Sequence, residues 1–310
     1  MVEEIYTEDN RETALSSNGI DAASPGMTVS IADAERICRR IATSHYENFL
    51  VASVFLPRTM RQPFYNVYAF CRYADDLADN SPTAKIATEM LIDWRQQLRA
   101  CFSGQATHPI YIALRDTATR FDLGIEPFDH LIQAFLQDQA KVRYQTFDEL
   151  LDYCRWSADP VGRIVLRLAK ADSSEICRFS DSVCTGLQLA NHWQDVARDF
   201  RAGRVYLPAK DAFRFGVDLE RVDDPAQRKE FQNLLRFECD RAASFLRSGL
   251  PLADQVPCWL AKDIRLFIHG GLATLAAIAN LNYDVLSKRP TVSRLRQIRL
   301  IVAAYVGRLD

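Results

Sequence analysis

The chain is organised around one segment, which reads Gln188-Leu189-Ala190-Asn191-His192-Trp193-Gln194-Asp195-Val196-Ala197-Arg198-Asp199. In a helix, side chains three and four residues apart share a face. A single stripe would then contain Gln188, Asn191, Asp195 and Asp199. It offers two amide oxygens and two carboxylates, and hard cations such as Mg²⁺ take oxygen ligands. The segment therefore predicts a long helix with a cation-binding face.

A second acidic pair, Asp75 and Asp79, stands one helical turn apart, while Asp76 is rotated about 100° away from Asp75. An acidic pair at this spacing is most often only a solvated helix face. Here the neighbouring residues are apolar and aromatic, which predicts a largely buried helix, and buried carboxylates need partners. We therefore predict that the two acidic stripes face each other across a cavity and hold Mg²⁺ and a diphosphate. Three Mg²⁺ ions would roughly balance four Asp and a diphosphate of about −3.

Tyr68 and Arg72 continue the face that carries the first acidic pair, because each lies one turn before the next member. An arginine among aspartates either forms a plain salt bridge or clamps a diphosphate, for which its forked geometry is suited. Both interpretations remain open for Arg72. For Tyr68, a hydrogen bond to diphosphate is favoured over simple core packing because it shares the Arg72 face.

The composition excludes several classes of protein. The 310 residues are 48% hydrophobic and 25% charged, with a net charge of −2, which gives no basic stripe for nucleic acid. No stretch reaches the roughly 18 to 20 apolar residues of a membrane span. The polar, acidic start predicts no secretory signal. Eight cysteines without CxxC or zinc spacing favour a reducing, cytoplasmic compartment.

Helical periodicity begins at Ile31 and continues through the chain, whereas convincing alternating strands are absent. Residues 1–30 lack periodicity and are expected to be a disordered tail before an all-α domain at 31–310. Arg204–Pro208 is the nearest approach to a strand. The predicted helices cover about 31–44, 62–79, 84–103, 109–121, 127–139, 147–156, 160–170, 173–201, 224–248, 257–286 and 291–307.

The two acidic stretches, residues 68–79 and 188–199, resemble the aspartate-rich motifs of the squalene/phytoene synthase family. Gly203-Arg204-Val205-Tyr206-Leu207-Pro208 extends the second motif, and the similarity runs from about Ala42 to Pro208, then more weakly onward. Two motifs in this order and separation are a specific signal. The resemblance implies a single-domain isoprenoid synthase fold, with helices around a central cavity, and an enzyme that acts on prenyl diphosphates with Mg²⁺.

Three further stretches, residues 46–53, 143–154 and 157–163, resemble the bacterial hydroxysqualene synthase branch of this family. Gln194 also stands where many relatives have an arginine, which suits a substrate with one diphosphate. This branch resemblance implies that presqualene diphosphate and water give hydroxysqualene and diphosphate in squalene and hopanoid biosynthesis. Such a carbon–oxygen lyase needs no NADPH. The apolar product makes transient membrane contact during release reasonable.

The candidate site residues follow from the stripes and from the resemblance. The catalytic candidates are Tyr68, Arg72, Asp75, Asp79, Asp195 and Asp199. The predicted metal ligands are Asp75, Asp79, Gln188, Asn191, Asp195 and Asp199. The predicted substrate-binding residues are His45, Phe49, Tyr68, Arg72, Tyr153, Gly162 and Gln188. For three of these the plain alternatives are a capping or surface role (His45), core packing (Phe49) and a tolerated helix-start glycine (Gly162). Phe70 and Trp156 are further cavity-wall candidates, with core packing as the alternative.

Several alternatives remain open. Presqualene diphosphate synthase, squalene synthase and phytoene synthase are alternatives within the same family. An all-α assembly factor without activity is the non-enzyme alternative, and loss of an aspartate from either stripe would favour it. A di-iron bundle predicts a Glu-x-x-His pair on facing helices, and no histidine of this chain has a glutamate three residues before it.

Overall fold

The computed structural model describes residues 29–44 and 55–309. These residues fold into α-helices joined by short turns. The helices, in chain order, are α1 (Ile31–Ser44), α2 (Arg58–Asp79), α3 (Ala84–Phe102), α4 (Pro109–Phe121), α5 (Glu126–Asp138), α6 (Phe147–Ser157), α7 (Asp159–Leu168), α8 (Ser174–Arg201), α9 (Ala209–Phe215), α10 (Arg228–Ser248), α11 (Cys258–Asn280) and α12 (Arg294–Tyr305). Short 3₁₀ helices span Leu219–Arg221, Pro225–Gln227 and Leu250–Asp254. The predicted all-α class is confirmed.

Local sequence signals account for many helix starts. Thr83, Thr146, Ser173 and Ser293 precede α3, α6, α8 and α12, and each side chain accepts a hydrogen bond from a backbone N–H of the first turn. Such caps satisfy donors that the helix itself leaves free. The starts of α3 and α6 coincide with the predicted ones, whereas α12 begins at Arg294, after the predicted residue 291.

One helix was not predicted, and three helix boundaries differ clearly from the predicted ones. The short helix α9 was not predicted, because seven residues carry too little periodicity. The predicted helix at 224–248 begins as a 3₁₀ turn and becomes α-helical at Arg228. The predicted helix at 257–286 ends at Asn280, because Asn282 and Tyr283 adopt positive φ angles of 50° and 62°. Helix α2 begins at Arg58 and contains Pro63 in its second turn.

The long helix α8 forms the centre of the larger hydrophobic core and packs on α6, α7, α10 and α11. Trp193 on α8 is fully buried and donates a hydrogen bond from Nε1 to the Glu238 carbonyl at 3.1 Å. Gly186 lets α10 approach closely, because a Cβ there would lie 2.9 Å from the backbone nitrogen of Leu246. These contacts fix the rotation of α8 about its axis, and so the direction in which its acidic stripe points.

A second core joins α1 to α5 and surrounds Phe70, which stacks on Trp94 and meets Phe128 edge to face. Between the two cores, the turn after α8 pairs with the turn after α5. Val205 donates to the Val142 carbonyl at 2.9 Å and forms an isolated parallel bridge with Arg143. The segment at 204–208 is thus the one place with strand-like pairing among the described residues, as its sequence indicated.

Among the helices that the structure describes, none has both the length and the hydrophobicity to cross a bilayer. All eight cysteines are free thiols. The predicted tail at 1–30 lies almost wholly outside the described residues, and His45, Phe49 and the whole stretch at 46–53 lie outside them. The predictions made for these residues stay predictions.

Candidate active site

A cavity of about 290 Å³ lies between α2, α5, α6 and α8. Both predicted acidic stripes line it: Asp75 and Asp79 on α2, and Gln188, Asn191, Asp195 and Asp199 on α8. The apolar part of the wall comes from Ala78, Leu131, Ala134 and Phe135, and the aromatic part from Tyr153 and Tyr206. The prediction that the two stripes share one cavity is therefore met by the geometry.

Each of the four acidic side chains of the stripes has an arginine within ion-pairing distance. The shortest separations are 3.2 Å for Arg72–Asp75, 3.6 Å for Arg204–Asp79, 2.5 Å for Arg289–Asp195 and 3.6 Å for Arg198–Asp199. The cavity wall itself contains five aspartates and two arginines, an excess of negative charge that favours binding of cations.

Burial and the closeness of the carboxylates shift pKa values within the two stripes. Partial burial raises the pKa of Asp75 to about 6, and the like charge of Asp79 adds to the rise. Burial also raises the pKa of Asp199, while the neighbouring Arg198 and Arg204 oppose that rise. Cations bound between the stripes would relieve the repulsion and keep these carboxylates ionised.

The donor set fits Mg²⁺. Carboxylate and amide oxygens are the ligands that this ion takes, and it usually keeps several waters and bridges to substrate phosphates. Among the described residues, no three His, Cys, Asp or Glu side chains come close enough to hold one ion alone. Water and substrate phosphates would therefore have to complete the ligands of an ion bound between the two walls.

The structure adds a group that the sequence reading missed, centred on Asp138 at the end of α5. Tyr153 donates a hydrogen bond from its hydroxyl to Asp138 Oδ2 at 2.8 Å. The other oxygen, Oδ1, is buried and has no hydrogen-bond partner among the described residues. Burial raises the pKa of Asp138 to about 7, and the hydrogen bond from Tyr153 opposes this rise.

The sequence did contain a signal for Asp138. Leu131, Ala134 and Phe135 precede it by seven, four and three residues, so an apolar helical stripe ends in a carboxylate. All four side chains line the cavity. Placing a carboxylate on a buried stripe costs free energy unless it is paired, which makes such a residue a candidate for function.

His192 and Tyr206 form the base of the cavity together. Their rings stack with centroids 3.7 Å apart, and His192 Nε2 lies 3.3 Å from Gln188 Nε2. Burial, helped by the positive charge of Arg204, lowers the pKa of His192 to about 3, so the imidazole is neutral at ordinary pH. Arg204, Arg289 and Tyr206 were not among the predicted site residues. The first and last stand in the quoted 203–208 stretch, whereas nothing local marks Arg289.

Three predicted residues do not line this cavity, although one of them, Arg72, is paired with the lining residue Asp75. Tyr68 and Arg72 are not among its lining residues, and Arg72 also contacts Asp76 at 2.6 Å. Gly162 packs against α8, where a Cβ would meet Ser180 Oγ at 2.3 Å and Cys184 Sγ at 2.7 Å. The structure thus shows a packing reason for this glycine, and its contact with substrate stays a prediction.

Two aromatic candidates have a different environment from the one predicted. Phe70 is fully buried in the second core, so it does not line the cavity. Trp156 is 40% exposed and packs against the His130 ring instead. Phe70 therefore takes the core-packing alternative and Trp156 lies in neither predicted place, while Tyr153 does line the cavity.

Comparison with known proteins adds three findings. The sequence profile of squalene/phytoene synthases matches residues 42–296. Phytoene synthase of Arthrospira platensis is 29% identical over 88% of this chain and 92% of its own length, and phytoene synthase 1 of Arabidopsis thaliana is 26% identical over 92% and 69%. The crystal structure of squalene synthase HpnC from Alicyclobacillus acidocaldarius is 41% identical, with a TM-score of 0.78 over 83% of this chain and 97% of that chain.

A dehydrosqualene synthase solved with a ligand superposes with a TM-score of 0.80 over 89% of this chain and 97% of that chain. Its sequence identity is 22%, so this likeness concerns the fold alone.

Proposed function

Because the chain belongs to the squalene/phytoene synthase family, whose members process prenyl diphosphates, we propose that it is a hydroxysqualene synthase. The proposed reaction converts presqualene diphosphate and water into hydroxysqualene and diphosphate. The carbon–oxygen bond to the diphosphate breaks with its electron pair leaving on oxygen, a bond to the oxygen of water forms, and water loses a proton. Neither an oxidant nor a reductant is required, and NADPH is therefore not expected.

One observation carries the proposal: the cavity combines an acidic wall with a further, buried carboxylate that can accept a proton. Asp138 Oδ1 is buried beside the acidic stripes without a hydrogen-bond partner among the described residues. Capture of water by a carbocation releases a proton, and an acceptor at this place would serve that step. Formation of a hydrocarbon by hydride transfer would not need such a group.

The residues that would hold Mg²⁺ are the six predicted ligands, Asp75, Asp79, Gln188, Asn191, Asp195 and Asp199, which all line the cavity. Bound there, Mg²⁺, predicted from charge balance as three ions, supplies Lewis-acid stabilisation of the negative charge on a departing diphosphate. Arg198 and Arg204 also line the cavity and can donate charge-assisted hydrogen bonds to diphosphate oxygens.

The apolar and aromatic side of the cavity wall would stabilise the carbocation and exclude water. The faces of Tyr153 and Tyr206 can stabilise the positive charge that remains on the hydrocarbon. Leu131, Ala134 and Phe135 exclude water from the same region until rearrangement is complete. Water then reaches the cation beside Asp138, and the Tyr153 hydrogen bond keeps this carboxylate oriented.

A product assay tests the proposal. Purified protein with presqualene diphosphate and Mg²⁺, without NADPH, is expected to give hydroxysqualene. Squalene formed only with NADPH, or no consumption of the substrate, would contradict it. The similarity to phytoene synthases makes a prenyl-transferring enzyme the second candidate. It predicts presqualene diphosphate from farnesyl diphosphate, or phytoene from geranylgeranyl diphosphate. Inactivity with all of these substrates would favour an assembly factor.

A further inference from the structure

The C-terminal helix α12 is apolar on two opposite sides. One side attaches it to the body of the protein: Ala304 is buried, and Leu300, Ile301 and Ala303 pack with it near Leu266 of α11. A helix that only covered a core would be polar on its other side. The outward side of α12 is apolar as well. In the described part of the chain it is largely open, with Phe55 and Lys262 contacting the Tyr305 ring at one end.

The outward side is formed by residues that recur at helical spacing. At 100° per residue they occupy an arc of about 100°. The exposed fraction of these residues lies between 54% and 68%. They are Leu295, Ile298, Val302, Tyr305 and Val306. We call these five residues the outer stripe. The other large exposed apolar residues of the described chain stand singly on different elements, and single residues of this kind are normal, whereas a contiguous patch marks an interaction surface.

Arginines border the outer stripe on both sides. By helical geometry Arg294 lies next to one edge, and Arg299 and then Arg296 lie beyond the other. All three are exposed and have no acidic partner among the described residues. Two of them stand in the first turn, where the helix dipole disfavours cations. Stability of the isolated helix therefore gives no reason for these arginines, whereas a negatively charged partner does.

The charge of this end of the molecule differs from the rest. Residues 288–309 contain six Lys and Arg and no Asp or Glu, so the remainder of the chain carries a formal net charge of −8. A second copy docked on the outer stripe by two-fold symmetry would bring two sets of arginines together. A bilayer with anionic headgroups matches both features at once, because headgroups attract the arginines and acyl chains accept the apolar side chains.

We propose that the outer stripe docks on the surface of an anionic lipid bilayer, with α12 lying in the plane of the interface. The helix is about 18 Å long, which suits an interfacial element and not a membrane span. The long stems of Arg294 and Arg299 allow their guanidinium groups to reach phosphate oxygens while the stripe enters the acyl region.

The docked helix would lie near the candidate active site. Arg289, which holds Asp195, precedes Arg294 by five residues, so the two Cα atoms are at most about 18 Å apart. The segment between Arg289 and Arg294 is also attached to α8, because the Gln194 side chain donates a 2.8 Å hydrogen bond to the Pro290 carbonyl. The inference does not depend on the proposed reaction, because it concerns a surface outside the cavity.

Flotation with lipid vesicles tests the proposal without substrate. The full chain is expected to float with vesicles of phosphatidylglycerol and phosphatidylcholine, and to bind pure phosphatidylcholine at least about tenfold more weakly. The triple variant Leu295→Ser/Ile298→Ser/Val302→Ser should lose about tenfold or more of its partitioning into anionic vesicles. The triple variant Arg294→Gln/Arg296→Gln/Arg299→Gln should show a similar loss and a weaker dependence on salt.

Matched controls use exposed residues elsewhere. Phe213→Ser removes the most exposed large apolar side chain, on α9, and Arg178→Gln removes an exposed arginine of α8. Both should partition as the wild type does. Thermal melting checks that every variant is folded. Equal partitioning of both triple variants and the wild type would overturn the proposal. So would a dimer of the wild type, without vesicle binding, that the apolar triple variant converts to a monomer.

Discussion

The guanidinium of Arg289 contacts both carboxylate oxygens of Asp195, with Nε 2.5 Å from Oδ1 and Nη2 3.2 Å from Oδ2. Asp195 is 7% exposed, so this ion pair is formed at the wall of the cavity and not in bulk solvent. A cation that binds Asp195 must compete with Arg289 for the same two oxygens. We therefore expect this pair, together with the 3.1 Å contact of Arg198 with Asp195, to weaken binding of Mg²⁺ to the second acidic stripe.

Replacing Arg289 by Gln should strengthen Mg²⁺ binding in the absence of substrate, by about tenfold or less, because the competing cation is removed. Isothermal titration with Mg²⁺ measures this affinity. Arg265→Gln is the matched control, since Arg265 pairs with the exposed Asp254 outside the cavity, and its Mg²⁺ affinity should equal that of the wild type. Weaker binding by the Arg289 variant would instead show that the arginine orients Asp195 for the ion.

Removal of one carboxylate from either stripe should abolish turnover while the protein stays folded. We expect Asp75→Ala and Asp195→Ala each to lower diphosphate release by about 10³-fold or more, because the departing charge loses its stabilisation. Asp116→Ala, on α4 and paired with Arg120, should leave the rate unchanged. Undiminished turnover of either cavity variant would rule out the predicted ion site.

Asp138→Asn should lower the rate by roughly 10²-fold and also change the product, because the side chain can no longer accept a proton from water. The fraction of alcohol is expected to fall in favour of hydrocarbons formed by loss of a carbon-bound proton. Mass spectrometry of the products measures this ratio. Tyr153→Phe keeps the carboxylate and should affect the ratio less. A slower reaction with an unchanged ratio would reduce Asp138 to a structural role.

Gly162→Ala should destabilise the protein by about 1–3 kcal/mol, because the new Cβ would overlap Ser180 and Cys184 of α8. Gly270→Ala is the control: it is also helical and has open space around it, so helix propensity should make it neutral or stabilising by up to about 1 kcal/mol. Chemical denaturation measures both. An unchanged stability with a raised KM for Gly162→Ala would support the predicted contact with substrate.

The buried Asp263 of α11 should make stability depend on pH. Burial raises its pKa to about 8, and its Oδ1 has no hydrogen-bond partner among the described residues. Between about pH 4 and pH 8 the folded state keeps a proton that the unfolded state has released, so stability falls as the pH rises through this window. Asp263→Asn should reduce that loss by about 2–4 kcal/mol.

Thermal melting from about pH 4 to pH 9 measures the effect. The melting temperatures of the wild type and Asp263→Asn should be closest near pH 4, diverge progressively up to about pH 8 and stay apart above it, with the variant more stable. The exposed Asp240→Asn on α10 should follow the wild type at every pH. If the wild type and Asp263→Asn lost stability in parallel, the carboxyl would not be the group responsible.

The features of this structure that the sequence predicts are those whose signal lies within one short segment of the chain. The stripes on α2 and α8 were predictable because the spacing within one helix determines which side chains share a face. The end of α11 was not found, since Asn282 and Tyr283 reverse the chain within an apolar run that periodicity alone extends to residue 286. Arg289 was not predicted as a site residue, because its partner Asp195 is 94 residues away in the sequence and no local pattern indicates such a contact.

The arginine beside each acidic side chain of the two stripes has a consequence for the order in which ligands bind. A divalent cation that takes a carboxylate displaces an arginine, and the displaced guanidinium then needs an anion. A diphosphate is such an anion, so each ligand should raise the affinity for the other, as thermodynamic linkage requires. The cavity would then discriminate against either ligand alone and respond to the metal–diphosphate complex as a single unit.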